Sequence, residues 1–257
     1  MSEAQAVLLG AIAGLTILLG IALARYLRGG QVLMNSLASG VLVYLLGDVL
    51  ARAFLPLNSA LLRQYDNLDS ARPVVWLTVA FIGGLVLGYG GLTAYSALSS
   101  NLPLLLAVGV GLHNLGEGLA LGNMAGNDWV SVSVVLVIGY VLQNLVVGGA
   151  IAAPFADGEQ KPRWSYLLVL GLVAGIPTIL GTFVGWLLVD AASSDQGRDI
   201  TSTAVDALAV GAILFVLIQL LSSVATAGKR TARHLGLLVG LAAALLTEVL
   251  LIGATGA

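Results

Sequence analysis

Residues 102–123 read LPLLLAVGVGLHNLGEGLALGN. The run is long enough to cross a bilayer, which takes roughly 20 apolar residues. Its middle nevertheless holds an imidazole, an amide and a carboxylate. An ionisable group at mid-span costs about 2.5–3.5 kcal/mol on insertion scales, so a helix that keeps such groups is where chemistry is to be sought. His113 and Glu117 are four residues apart and share one helix face. Asn114, three residues before Glu117, reaches the same cavity. Gly116 and Gly118 leave room for a neighbouring helix.

The rest of the chain sets the same solvent. Of 257 residues, 58% are hydrophobic and 9% charged, against about 25% charged in soluble domains. Mean hydropathy is +1.00. So apolar a chain has too little polar surface for water, and lipid must surround it. The expected fold is an all-α integral membrane protein. Eight apolar stretches qualify as spans, at approximately 4–27, 32–55, 74–97, 102–123, 129–153, 165–190, 204–224 and 234–255. Polar and turn residues separate them, including Pro56, Asp66, Asp69 and Pro73 in the break at 56–73. No connection is long enough for a soluble domain, so 1–257 is expected to be a single transmembrane domain. The N-terminal MSEAQAVLLG lacks a basic leader region and reads as a retained first span. A formal net charge of −2 without a basic patch gives nucleic acid nothing to bind. The lack of cysteine excludes disulfides, thiolate metal sites and iron–sulfur clusters. The expected location is the plasma or inner membrane.

Lys and Arg set the orientation. With the N-terminus outside, inner connections hold Arg25, Arg28, Lys161, Arg163, Lys229, Arg230 and Arg233, and outer ones hold Arg52, Arg63, Arg72 and Arg198. That bias of seven to four puts both termini outside. Trp76, Trp129, Trp164 and Tyr166 open their spans as interface anchors do. A weak internal repeat is also visible. Gly10, Ala13, Gly14 and Gly20 match Gly171, Ala174, Gly175 and Gly181, and Ala38, Gly40, Tyr44 and Asp48 match Ala209, Gly211, Phe215 and Gln219. Three spans repeated after five return with inverted topology, a 3+2+3 arrangement of the kind that places a transporter's substrate near the midplane. Recurrent glycines four apart read as general helix packing, with a homodimer as a further option.

The fifth span adds Gln143 and Asn144, adjacent amides in an otherwise apolar run. They can complete a coordination sphere begun by His113 and Glu117, or orient those residues as outer partners. An interhelical hydrogen-bond network without any ligand fits the spacing equally well. Asp48, Gln219 and Glu248 are lesser candidates: Asp48 near the membrane edge, Gln219 as helix–helix glue, Glu248 deep in an apolar run. Tyr44, Tyr89 and Tyr140 read as packing residues, and His234 as an interfacial one. No nucleophile–base constellation, P-loop or dinucleotide fingerprint is present, so the chain does not read as an enzyme.

His113-Asn114-x-x-Glu117-Gly118 resembles the fourth-span signature of the ZIP family of divalent metal transporters. Gln143-Asn144 through Gly148 is similar to the fifth-span motif of its bacterial-type branch, Gly175-Ile176-Pro177 with Gly181 and Gly185 to the sixth, and Ala209-x-Gly211 with Phe215 to the seventh. The resemblance implies transport of Zn²⁺ or another divalent cation as substrate. It implies one metal site at His113, Glu117 and Gln143 and an adjacent one at Asn114, Glu117 and Asn144. The chain also departs from the family. Val147 stands where the motif has a metal-bridging Glu, Val146 where it has Pro, and Gln219 and Leu220 where the seventh span offers carboxylates. The site is thereby reduced. An alternative expectation is a transport-inactive ZIP-fold protein with a sensing, partner-binding or structural role.

Overall fold

The computed structural model describes residues 1–26, 30–66, 70–127, 129–155, 161–190, 195–225 and 230–255, without the side chains of 131, 190, 195 and 250–255. Arg28, Asp69 and Lys229, used in the sequence reading of the connections, lie outside these residues. Among the described residues every regular element is a helix: α1 (Glu3–Leu15), α2 (Ile17–Ala24), α3 (Gln31–Tyr65), α4 (Arg72–Leu98), α5 (Leu102–Gly126), α6 (Val130–Ala152), α7 (Trp164–Asp190), α8 (Asp195–Ala225) and α9 (Arg230–Thr255). A 3₁₀ turn, Ala153–Phe155, follows α6. Helices α1 and α2 are two halves of one span, broken at Thr16. Eight spans of sufficient length and apolarity result.

Two helices run beyond the apolar stretches that announce them. Helix α3 passes through Pro56 to Tyr65, and α8 starts at Asp195. Polarity marks where a chain leaves lipid, not where its hydrogen-bond ladder stops. Pro56 forfeits one backbone bond, a loss that membrane helices tolerate, and the residues after it are good helix formers. Arg52, read above as an outer-connection cation, is therefore a residue of the α3 interior; Arg63 also lies within α3 and Arg198 within α8.

Packing follows the small residues. Helix α5, the most enclosed span, lies along α7 with backbones in direct contact. A Cβ on Gly118 would stand 2.2 Å from the Thr178 carbonyl oxygen, and one on Gly181 2.2 Å from that of Leu115. Only glycine permits such an approach. Helix α4 packs along α8 and α3 along α9, and α3 and α8 cross between the two pairs. The outward faces of α4 and α9 present Val79, Ile82, Val86, Leu87, Leu238, Val239 and Leu246, all more than half exposed. In water each would forfeit about 1.5–3 kcal/mol of burial; in a bilayer they meet acyl chains.

Candidate metal site

Helix α5 carries the centre of the site. Asn101 caps it by accepting from the Leu104 amide at 3.2 Å, and Pro103 sits in its first turn, where no donor is lost. Three turns on, His113, Asn114 and Glu117 are each at most 3% exposed. His113 Nε2 comes within 3.1 Å of Glu117 Oε1. The far atoms of the pair, His113 Nδ1 and Glu117 Oε2, are buried with no hydrogen-bond partner among the described residues. Leaving a buried polar atom unsatisfied costs about 1–3 kcal/mol, more for a charged one, and an orphan of this kind calls for an explanation in function.

The amides are anchored through their nitrogens. Asn114 Nδ2 donates to the Ala174 carbonyl of α7 at 2.9 Å, and Asn144 Nδ2 to the Ala13 carbonyl of α1 at 2.9 Å. The Ala13 oxygen also accepts from Thr16 Oγ1 at 2.6 Å, at the break between α1 and α2. Because a carbonyl needs a donor, these bonds fix which end of each amide is nitrogen and turn both Oδ1 atoms away from their anchors. Amide oxygen is the end that binds cations. Gln143 Oε1 is buried and has no hydrogen-bond partner among the described residues. Helices α5 and α6 are antiparallel neighbours, and Val110 and Val147 line one apolar pocket between them. One turn further along brings His113 and Asn114 level with Gln143 and Asn144.

Below that level the site closes with aliphatic side chains. Val147 packs with Leu106, Val110, Ala150, Ile151, Val216 and Leu220. Val147 and Leu220 are two positions read above as departures from carboxylates, and they fall in one apolar cluster. Gln219 lies beside Leu220 on α8, part-buried. Asp48 accepts a hydrogen bond from the Arg52 guanidinium, one turn on in α3, in an ion pair about one-third exposed. Glu248 of α9 lies within electrostatic reach of that pair and is part-buried.

Two site residues, Arg52 and Asp206, escape the sequence reading, and a third, Tyr140, reads there as packing. Arg52 acts electrostatically on Glu117, Asp206 and Tyr140. Asp206, on α8, is 7% exposed. The Tyr140 hydroxyl, on α6, is buried without a partner. A signal existed for two of them: Arg52 and Asp206 both lie inside apolar runs, near enough to the ends to pass for edge residues. Among the described residues no three His, Asp or Glu side chains form a ready-closed metal clamp.

A family model for ZIP zinc transporters matches residues 95–248. The chain belongs to the ZIP zinc transporter family. No curated protein matches it. The match runs from the last turn of α4 into α9 and takes in His113, Glu117, Gln143 and Asn144. With eight apolar helices and this family, the chain is a multi-pass membrane transporter of metal ions. ZIP proteins are transporters, not enzymes. The divalent metal is the substrate of this ZIP chain, and the bilayer is its surroundings.

Proposed function

We propose that the chain carries a borderline divalent cation, Zn²⁺ foremost, across the plasma or inner membrane through a site on α5 and α6. His113 and Glu117 hold the ion, Gln143 adds an oxygen, and the Oδ1 atoms of Asn114 and Asn144 assist. The observation that carries this reading is the buried His113–Glu117 pair, 3.1 Å apart, whose outer nitrogen and oxygen have no partner. Imidazole nitrogen and carboxylate oxygen are a donor set suited to zinc. Such a pair in hydrocarbon is costly without a cation to serve.

The 257 residues form one transmembrane domain in this reading, arranged 3+2+3 with both termini outside. Packing supports the inverted repeat. Gly14 and Gly175, matched in the two halves, lie against each other's carbonyl oxygens, as residues beside a pseudo-two-fold axis do. The α4–α8 and α3–α9 pairs exchange under the same operation. Transport then alternates by rocking the repeat elements around α5 and α6, with the aliphatic cluster at Val147 as the seal on one side. The unpartnered apolar faces of α4 and α9 leave room for a homodimer, which cross-linking in native membranes tests.

The deciding experiment is Zn²⁺ uptake by proteoliposomes. The reading expects uptake to saturate, and to vanish with His113→Ala or Glu117→Ala. Unchanged uptake in the double variant removes the site from the transport path.

A further inference from the structure

Asp206 is a buried carboxylate, 7% exposed, within electrostatic reach of Arg52 and His113. Its Oδ1 would lie 3.4 Å from a Cβ on Gly116. Gly116 stands in α5 three residues after His113, on the neighbouring turn and turned toward α8, and next to Glu117 in the chain. The missing side chain is what lets an α8 carboxylate come up to the His–Glu pair. Glu117 Oε2, on the same stretch of α5, is itself buried and unpartnered.

The surrounding charges make Asp206 more than a stray acid. Arg52 is the cation of this end of the α3–α8 crossing, and it is ion-paired with Asp48. Those two cancel. Counting that pair as neutral leaves the Glu117 and Asp206 carboxylates, within reach of Arg52 but not ion-paired to it, and their two negative charges are the number one divalent cation neutralises. Metal ligands bind deprotonated, so this is the count that applies to the loaded site. The other end of the crossing offers a comparison. The repeat offset, 209 − 38 = 171, maps Asn35 onto Asp206 and Ser223 onto Arg52. Asn35 Nδ2 donates to Ser223 Oγ at 2.9 Å, closing that end with a neutral hydrogen bond. At the Asp206 end Arg52 turns instead to Asp48, and the α8 carboxylate stays open.

We propose that Asp206 supplies the transport site's second carboxylate: among the described residues no three acids or histidines form a closed clamp, and the divalent cation draws the Asp206 carboxylate onto itself beside His113 and Glu117, with Arg52 setting the charge balance of the site. This replaces the acids missing at Val147 and Leu220, but from the opposite side of the His–Glu pair. Leu220 is fourteen residues along α8 from Asp206, about 21 Å. The chain has moved its carboxylate, not only lost one. The proposal rests on the His113–Glu117 reading above, and its test separates the two.

Equilibrium Zn²⁺ binding is measured on the full chain in nanodiscs, for wild type, Asp206→Asn, Asp206→Glu, Arg52→Gln and His113→Ala. A lost ligand costs at least what a lost outer-shell partner does, about tenfold or more in affinity. Asp206→Asn is therefore expected to weaken Zn²⁺ binding at least about tenfold, and Asp206→Glu to retain most of it. Arg52→Gln is expected to tighten it about tenfold, because a repelling charge is gone. If Asp206 only anchored Arg52, both neutral variants would shift binding in the same direction, and that result overturns the proposal. Wild-type affinity in Asp206→Asn, with binding lost in His113→Ala, overturns it too and leaves the His113–Glu117 reading intact. Binding unaffected by His113→Ala refutes that reading instead. If Asp206→Asn fails to fold, the Asp206→Glu and Arg52→Gln pair decides: loss of binding in the first, or no tightening in the second, counts against.

Discussion

Gly118→Ala places one methyl group where α5 and α7 touch through their backbones. Its Cβ would meet the Thr178 carbonyl oxygen at 2.2 Å and the Thr182 nitrogen at 2.9 Å. A real Cβ does not come inside 3.0 Å, so the helices must part by about 0.8 Å. Neither contact is a side-chain tip that can swing aside. Overpacking costs about 1–3 kcal/mol, and a backbone obstacle belongs at the upper end. Alanine returns up to about 1 kcal/mol of helix propensity. A net loss of about 2 kcal/mol lowers Tm by roughly 4–8 °C in a chain of this size. Displacing α7 also moves the Ala174 carbonyl that anchors Asn114, so Zn²⁺ uptake should fall with stability. Thermal unfolding in detergent measures the first effect and proteoliposome flux the second. Gly47, with nothing within 4 Å of its would-be Cβ, is the control. Equal melting temperatures for Gly118→Ala and Gly47→Ala would refute the reasoning.

Val147→Glu buries a carboxylate among Leu106, Val110, Val216 and Leu220. An uncompensated buried charge costs about 3–5 kcal/mol, so the variant should melt well below wild type in chelator and recover in part with Zn²⁺, read as a Tm difference. Asn144→Ala removes one of two donors to the Ala13 carbonyl. Because Thr16 still donates, stability should drop by only about 1 kcal/mol, and any larger loss in Zn²⁺ affinity by titration then reports the amide oxygen as a ligand. Asn35→Ala should cost about 1 kcal/mol through the lost bond to Ser223 and leave Zn²⁺ affinity unchanged in the same titration.

Much of this molecule was legible because lipid simplifies the reading. Apolar length alone gives the spans, and a histidine four residues before a glutamate stands out when so few charges occur. The sequence could not say which amide end faces the site, since that depends on the carbonyls of Ala13 and Ala174, distant in the chain. Nor did it reveal that Val147 and Leu220 share one cluster. Arg52 and Asp206 were missed for a shared reason. A charge near the end of an apolar run looks like a membrane edge; the continuation of α3 past Pro56 and the early start of α8 set both residues well inside their helices. The repeat register held the clue, for Asn35 and Ser223 are the polar mates of these two residues. The glycines four apart were read as general packing, and the α5–α7 contact gives them a definite position beside the site.

The central claim is that His113 and Glu117 hold the transported ion. X-ray absorption at the zinc edge on the loaded, purified chain tests it most directly. The prediction is one zinc per chain with an imidazole nitrogen at about 2.0–2.1 Å, lost in His113→Ala and kept in a variant of His234, the only other histidine. Zinc bound in an all-oxygen shell that His113→Ala leaves unchanged would contradict it.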